Sequence, residues 1–294
     1  MAGTVRAGSR LAADRVRRMF RSRGWGFQRL AESHAGSVAG DTLVAIALAG
    51  TLFFQVPTAE ARENVALYLL ITLAPFAVIG PFLGRVYERY PSAYRGGLVV
   101  SSVGRAVVCV VMAIWLDTFL LFPFAFLLLV LSRFHGISRS SLLPVVLESR
   151  RDLVSANAQL ARIGVVAAAV IVPIGAFGVW QFGPWFALLL AAITFMGSAL
   201  AATRLPAIDL AAMAHAAEVD EQGQERLLIT PRSVRLARFA TAGVRFLNGF
   251  LLLIVAFAFR TEDAGILDFS AFLAAGGLGY YAAAFFTPVL DRHL

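Results

Sequence analysis

Eight runs of roughly twenty apolar residues, each near the length a tilted helix needs to cross about 30 Å of hydrocarbon, dictate what this chain can fold into. They fall at 37–56, 65–84, 97–116, 118–140, 153–180, 183–204, 239–259 and 269–290. One water-soluble core cannot hide them. Hydrophobic residues make up 59% of the 294 residues and charged residues 15%, against about 45–50% and about 25% in a soluble domain. A bilayer can act as solvent for such a chain, and helices satisfy their own backbone there. An outer-membrane barrel would alternate over segments of about ten residues, whereas these runs are continuous. The expected fold class is therefore all-α, a polytopic transmembrane helical bundle of about eight spans. The fourth and fifth spans are interrupted by Arg133, His135, Arg139 and Arg162.

The charge pattern gives an orientation. The net charge is +8, and all 26 basic residues are Arg. With a cytoplasmic N-terminus, 21 of them fall in inner segments and only Arg62 and Arg260 in outer loops. That asymmetry follows the positive-inside rule, and Trp115, Trp180 and Trp185 sit at the opposite ends of their spans, as an aromatic belt would. The basic balance then reports topology, and a nucleic-acid partner is not expected. The expected location is the plasma membrane, multi-pass, with the lipid bilayer as a partner. Cys109 is the single cysteine, so no intrachain disulfide can form. The four His are scattered, no zinc spacing is present, and no metal or cofactor is expected.

The first 35 residues read as a basic cytoplasmic segment. Ala12, Val16, Met19 and Phe20 would share one helix face opposite Arg, which suits a helix lying on anionic lipid. A disordered basic tail fits the same residues, and so does an organelle transit peptide. Residues 36–204 hold the first six spans. Residues 205–238 are the longest polar interval and read as a cytoplasmic linker, in the simplest case a solvated tether.

Between the second and third spans stands GPFLGRVYERYPSAYRG, residues 80–96. With the six-span, linker, further-span layout, it resembles the major facilitator superfamily of transporters. That family's signature between its second and third helices runs roughly G-x-x-x-D-R-x-G-R-R, which many bacterial drug-efflux-like members write as G-P-x-x-G-x-x-x-D-R. Here Gly80, Pro81, Gly84, Glu88 and Arg89 fall at that spacing, Glu88 stands where the family has Asp, Pro91 to Tyr94 replace the usual Gly and basic pair, and Arg85 and Arg95 lie in the same turn. HAGSVAGDTLVAIALAGTLFF around the first span and SLLPVVLESRRDLVSANAQLARIG from the fourth into the fifth are similar to actinobacterial members. PFLGRVYER at the end of the second span is echoed by FFTPVLDRHL at the end of the eighth, which aligns Glu88-Arg89 with Asp291-Arg292. Parallel six-helix repeats make helices two and eight counterparts. The resemblance covers roughly residues 33–290. It implies that residues 239–294 are the first two helices of a second, incomplete bundle. It also implies an inner gate at Glu88-Arg89, with a second copy at Asp291-Arg292. On the residues alone, the turn is an ordinary basic loop.

Charges inside spans cost several kcal/mol at the bilayer centre and usually face a partner or a cavity. Asp41 lies near the inner start of the first span and reads as a cap or inner-gate residue before it reads as a proton carrier. Arg105 is well inside the third span, where lipid exposure would cost roughly 3 kcal/mol. Its candidate partners are Asp41, a backbone carbonyl or an anionic substrate. Arg162 and Arg245 are nearer inner ends and can snorkel. Arg133, with Gly136, loosely resembles a fourth-helix Arg motif of proton-coupled members. Pro173, Gly175 and Gly178 read as a kink with small residues for packing, and GGLG at 276–279 as close helix packing.

The resemblance implies a secondary transporter, efflux-like, working by alternating access on a small-molecule substrate, with protons as a coupling ion. A non-transporting membrane scaffold or assembly subunit, or the product of a gene fragment, is the alternative. An enzyme is not expected, because no His/Asp/Glu cluster lies within the spans.

Overall fold

Where water is scarce, a backbone must satisfy its own N–H and C=O groups, and a helix does so within one segment. The computed structural model describes residues 23–48, 93–116, 121–147, 152–205 and 266–291, with Phe20 and scattered positions between 236 and 254. The long elements are α1 (Gly24–Leu48), α2 (Ala93–Ile114), α3 (Leu121–Val146), α4 (Leu153–Phe182), α5 (Pro184–Thr203) and α6 (Ile266–Asp291). No strand occurs among the described residues. The fold is all-helical.

The helices track the apolar runs, with informative differences. α1 begins well before residue 37 and is continuous across residue 35, so the end of the basic segment is helix rather than tail. Pro144 and Pro173 lie inside α3 and α4, which continue through them. α4 and α5 are separated by Gly183 alone, at φ +95°, a conformation that only glycine adopts without strain. Its N–H donates to the Val179 carbonyl at 2.9 Å, closing α4, and Pro184 opens α5 at a position where no N–H is needed. The expected second span, 65–84, lies outside the described residues, and so does most of the linker.

The chain divides into two compact units, Met1–Ile208 with Ala284–Leu294, and Asp209–Ala283. In the first, α5 packs mainly on α1 and α2, α3 packs on α2, and α4 packs on α1. Two apolar layers form. One holds Leu43, Cys109, Met112, Leu128, Leu188 and Phe195, and the other Phe27, Leu30, Leu98, Leu142, Leu160 and Ala202. Along α1, α2, α3 and α5 the layers are separated by buried polar residues: Ser33, Ser37, Ser101, Ser102, Arg105, His135, Ser138 and Ser198. In the second unit, a Cβ at Gly276, Gly277 or Gly279 would meet no atom of the described residues within 4 Å.

Residues 94–114, 153–182 and 184–203 are long and apolar enough to cross a membrane. Their outward faces carry Val107, Val110 and Ile114 on α2, Val170, Ile174 and Phe177 on α4, and Ile193, Met196 and Leu200 on α5, all exposed. The spacing of three and four residues puts each set on one helix face. Exposed apolar surface of this extent fits lipid contact and not water.

The α1–α5 crossing depends on Gly40, where a Cβ would lie 2.4 Å from the Phe195 ring. Gly40→Ala should lower stability by about 1–3 kcal/mol through overpacking. Thermal unfolding of the purified protein checks this, with Gly197→Ala, where a Cβ meets nothing within 4 Å, as the matched control.

Candidate functional site

An arginine far from water needs acceptors for its five N–H groups and an opposing charge. Arg105, fully buried on α2, finds both on α1. Its Nη1 lies 3.1 Å from Asp41 Oδ1 and 3.3 Å from Oδ2, and donates to Ser37 Oγ at 3.0 Å. Nε donates to the Ser101 carbonyl one turn back, at 3.3 Å. The guanidinium also stacks over Phe195 of α5, 4.3 Å from the ring centroid, a cation–π contact strengthened by burial. Gly40 leaves the space in which that ring lies. Nη2 is buried with no hydrogen-bond partner.

Asp41 is the open member of the pair, its side chain 42% exposed against 0% for Arg105. Ser132 of α3 donates to its Oδ2 at 3.2 Å. Ser33, Ser37 and Asp41 recur every four residues on α1, so all three face the same way. That stripe is how one helix supplies the acid, a hydroxyl acceptor and a link to α5.

The rest of the belt is a run of hydroxyls that meets His135. Ser198 Oγ donates to the Ser33 carbonyl at 2.7 Å, and Ser101 Oγ to the Leu98 carbonyl at 3.1 Å. Ser198 Oγ also lies 3.0 Å from Ser33 Oγ and 3.2 Å from Ser102 Oγ. Ser101 Oγ and Ser102 Oγ each lie 3.3 Å from His135 Nδ1. Nε2 of His135 is buried and has no hydrogen-bond partner.

A second set of polar ties joins α1 to α3 and α4. Arg23 bridges from the start of α1 to α4, donating to Gln159 Oε1 at 2.9 Å and Ser155 Oγ at 2.7 Å, with Asp152 Oδ1 at 3.5 Å. Arg139 Nη1 lies 3.1 Å from Nδ1 and 3.2 Å from Nε2 of His34. Since a guanidinium only donates, the ring nitrogen it engages is the unprotonated one.

Of the residues singled out in the sequence, Asp41 and Arg105 are brought together. Arg133 lies exposed on α3, one position beyond the Ser132 that holds Asp41. Arg162 lies on α4 with its guanidinium 5.3 Å from the Phe285 ring centroid. Arg95 ties α2 to the end of α5 through the Thr203 carbonyl. Gly175 and Gly178 are buried packing positions, where a Cβ would come within 2.6 Å of Leu43 and 2.3 Å of Phe186. Asp291 is the last residue of α6. Gly80, Pro81, Gly84, Arg85, Glu88, Arg89, Arg245 and Arg292 lie outside the described residues. Sequence reasoning missed the serine belt, His135 as its hub, and Phe195. The signal for the belt was the four-residue spacing of Ser33, Ser37 and Asp41.

No family model and no solved structure matches the chain. It is similar to an uncharacterised protein of Mycobacterium leprae, with 34% identity over 179 residues spanning 54% of this chain and 31% of that protein. It is also similar to uncharacterised proteins of Mycobacterium tuberculosis strains CDC 1551 / Oshkosh and H37Rv, 33% identical over 190 residues, 55% of this chain and 34% of each relative. The match thus spans 31–34% of the length of these relatives.

Removing one partner of a buried pair leaves the other charge uncompensated, at about 3–5 kcal/mol. Asp41 has some solvent contact and Arg105 has none. Asp41→Asn should therefore destabilise by about 3 kcal/mol and by more than Arg105→Met, which keeps the packing against Phe195. The double variant should be close to Arg105→Met alone. A double-mutant cycle on chemical unfolding midpoints measures the coupling; additive single effects would contradict the pairing.

Proposed function

We propose that this chain is a secondary transporter of the major facilitator type, carrying a small-molecule solute across the plasma membrane by alternating access. The observation that carries the reading is the Arg105–Asp41 pair, set between apolar layers in a bundle whose outer faces are greasy. Charge placed that deep in a bilayer is expensive and marks solute or ion pathways. A purely structural tie could be made from apolar side chains at similar or better stability. The resemblance of residues 80–89 to the inner gate signature supports the same reading from an independent stretch.

In this mechanism the half-open Asp41 is the group that exchanges with the transport pathway, and Arg105 is the fixed countercharge behind it. Protonation of Asp41 would release its hold on Arg105 and break the tie between α1 and α2. Re-forming the pair resets the bundle. Protons are the coupling ion in this scheme, and the multi-pass arrangement has its N-terminus in the cytoplasm. Efflux is the direction that the resemblance favours.

Flux through the pure 294-residue protein in proteoliposomes tests the proposal. With an imposed proton gradient, uptake or release across a panel of labelled drugs and metabolites should exceed that of empty vesicles, and Asp41→Asn should reduce gradient-driven flux at least tenfold. Flux no greater than in empty vesicles would favour the non-transporting scaffold reading instead.

A further inference from the structure

Three arginines, of which only Arg105 is itself buried, hold buried donors that have no acceptor. Nη2 of Arg105, Nε of Arg162 and Nε of Arg29 are buried without hydrogen-bond partners, while no buried side-chain oxygen among the described residues lacks one. Arginine cannot accept a hydrogen bond, so each of these nitrogens can be satisfied only by an oxygen or another acceptor brought to it. Arg105 is the strongest case. It is fully buried, and its fork is only partly filled, with Nη1 and Nε used and Nη2 unused.

What fills the used half indicates what fits the rest. Both oxygens of the Asp41 carboxylate approach Nη1, at 3.1 and 3.3 Å, a geometry short of the two parallel bonds that a guanidinium can give a carboxylate. Asp41 is also the exposed member of the pair, so a solute reaching the pair from outside meets the acid before the arginine. A ligand carboxylate carries the same charge and the same planar pair of oxygens. It is not held back by a short side chain, so it can take Nη1 and Nη2 together.

We infer that Arg105 is the receptor for a small carboxylate, and that Asp41 is the tethered counter-ion which this carboxylate displaces. The inference rests on the transporter reading for how a solute reaches the bundle interior. Ser37 and the Phe195 ring keep the guanidinium plane fixed while the two carboxylates exchange. No bond is made or broken in the exchange; one acceptor replaces another on the same donors.

The competition gives a signature that a structural ion pair would not. The full-length protein is placed in phosphatidylcholine nanodiscs, which contain no anionic lipid, and titrated at constant ionic strength with benzoate, with benzamide as the uncharged isostere and benzamidinium as the cation. Thermal unfolding followed by tryptophan fluorescence reads binding. Benzoate should raise the midpoint saturably, and benzamide and benzamidinium should not. Asp41→Asn removes the competitor and should bind benzoate at least tenfold more tightly than the wild type. Arg105→Lys loses the fork and should bind at least tenfold more weakly. If Arg105→Lys does not fold, the Asp41→Asn comparison decides alone. Benzamide acting as well as benzoate, or Asp41→Asn binding benzoate no more tightly than the wild type, would overturn the inference. The two readings fail separately. Benzoate binding with this pattern but no flux in vesicles supports the carboxylate site and rejects transport. Flux of neutral or cationic solutes with no benzoate binding keeps the transporter and rejects the carboxylate site.

Discussion

A guanidinium with no exposed surface sets the terms for the rest of the bundle. Arg105 cannot shed its charge, so the packing around it has to supply a carboxylate, a hydroxyl, a carbonyl and an aromatic face within one small volume. Those four come from α1, from α2 itself and from α5. The register of three helices is therefore fixed at one residue. Gly40 is small because Phe195 has to lie over Arg105, and Phe195 lies there because nothing larger than hydrogen stands on that face of α1.

The run of hydroxyls does a different job. Apolar side chains tolerate sliding past one another, because their attraction has no direction. A buried hydroxyl does not, since losing its partner leaves it unsatisfied at about 1–3 kcal/mol. Ser33, Ser102 and Ser198 join three helices at one level, and His135 joins the fourth. The apolar layers on either side provide most of the attraction, and the belt between them decides the alignment.

The all-helical class and the approximate bounds of α2 to α6 were legible in the sequence, because a run of twenty apolar residues has few other solutions. The difficulty of placing Arg105 in lipid was legible too, and it put Asp41 among the partners. The belt was not. Ser33, Ser37 and Asp41 mark a face of α1, but spacing along one helix does not say which helix that face meets. Phe195 looked like one apolar residue among many. Its role depends on a glycine about 150 positions away in the chain, and the sequence contains no term that joins the two. The early start of α1 was hidden for another reason. Residues 24–36 are mixed in polarity, and they are held as helix partly by ties such as that from Arg23 to α4.

The order of the two charged residues along the chain bears on how such a bundle is made. Asp41 is synthesised before Arg105. On the bilayer reading, an isolated helix carrying a central arginine inserts at a penalty of about 2.5–3.5 kcal/mol. The acid that offsets this cost belongs to a helix already delivered. On that reading α1 acts as a template for α2 during biogenesis, and exchanging the two residues would present the arginine to the membrane before its acid.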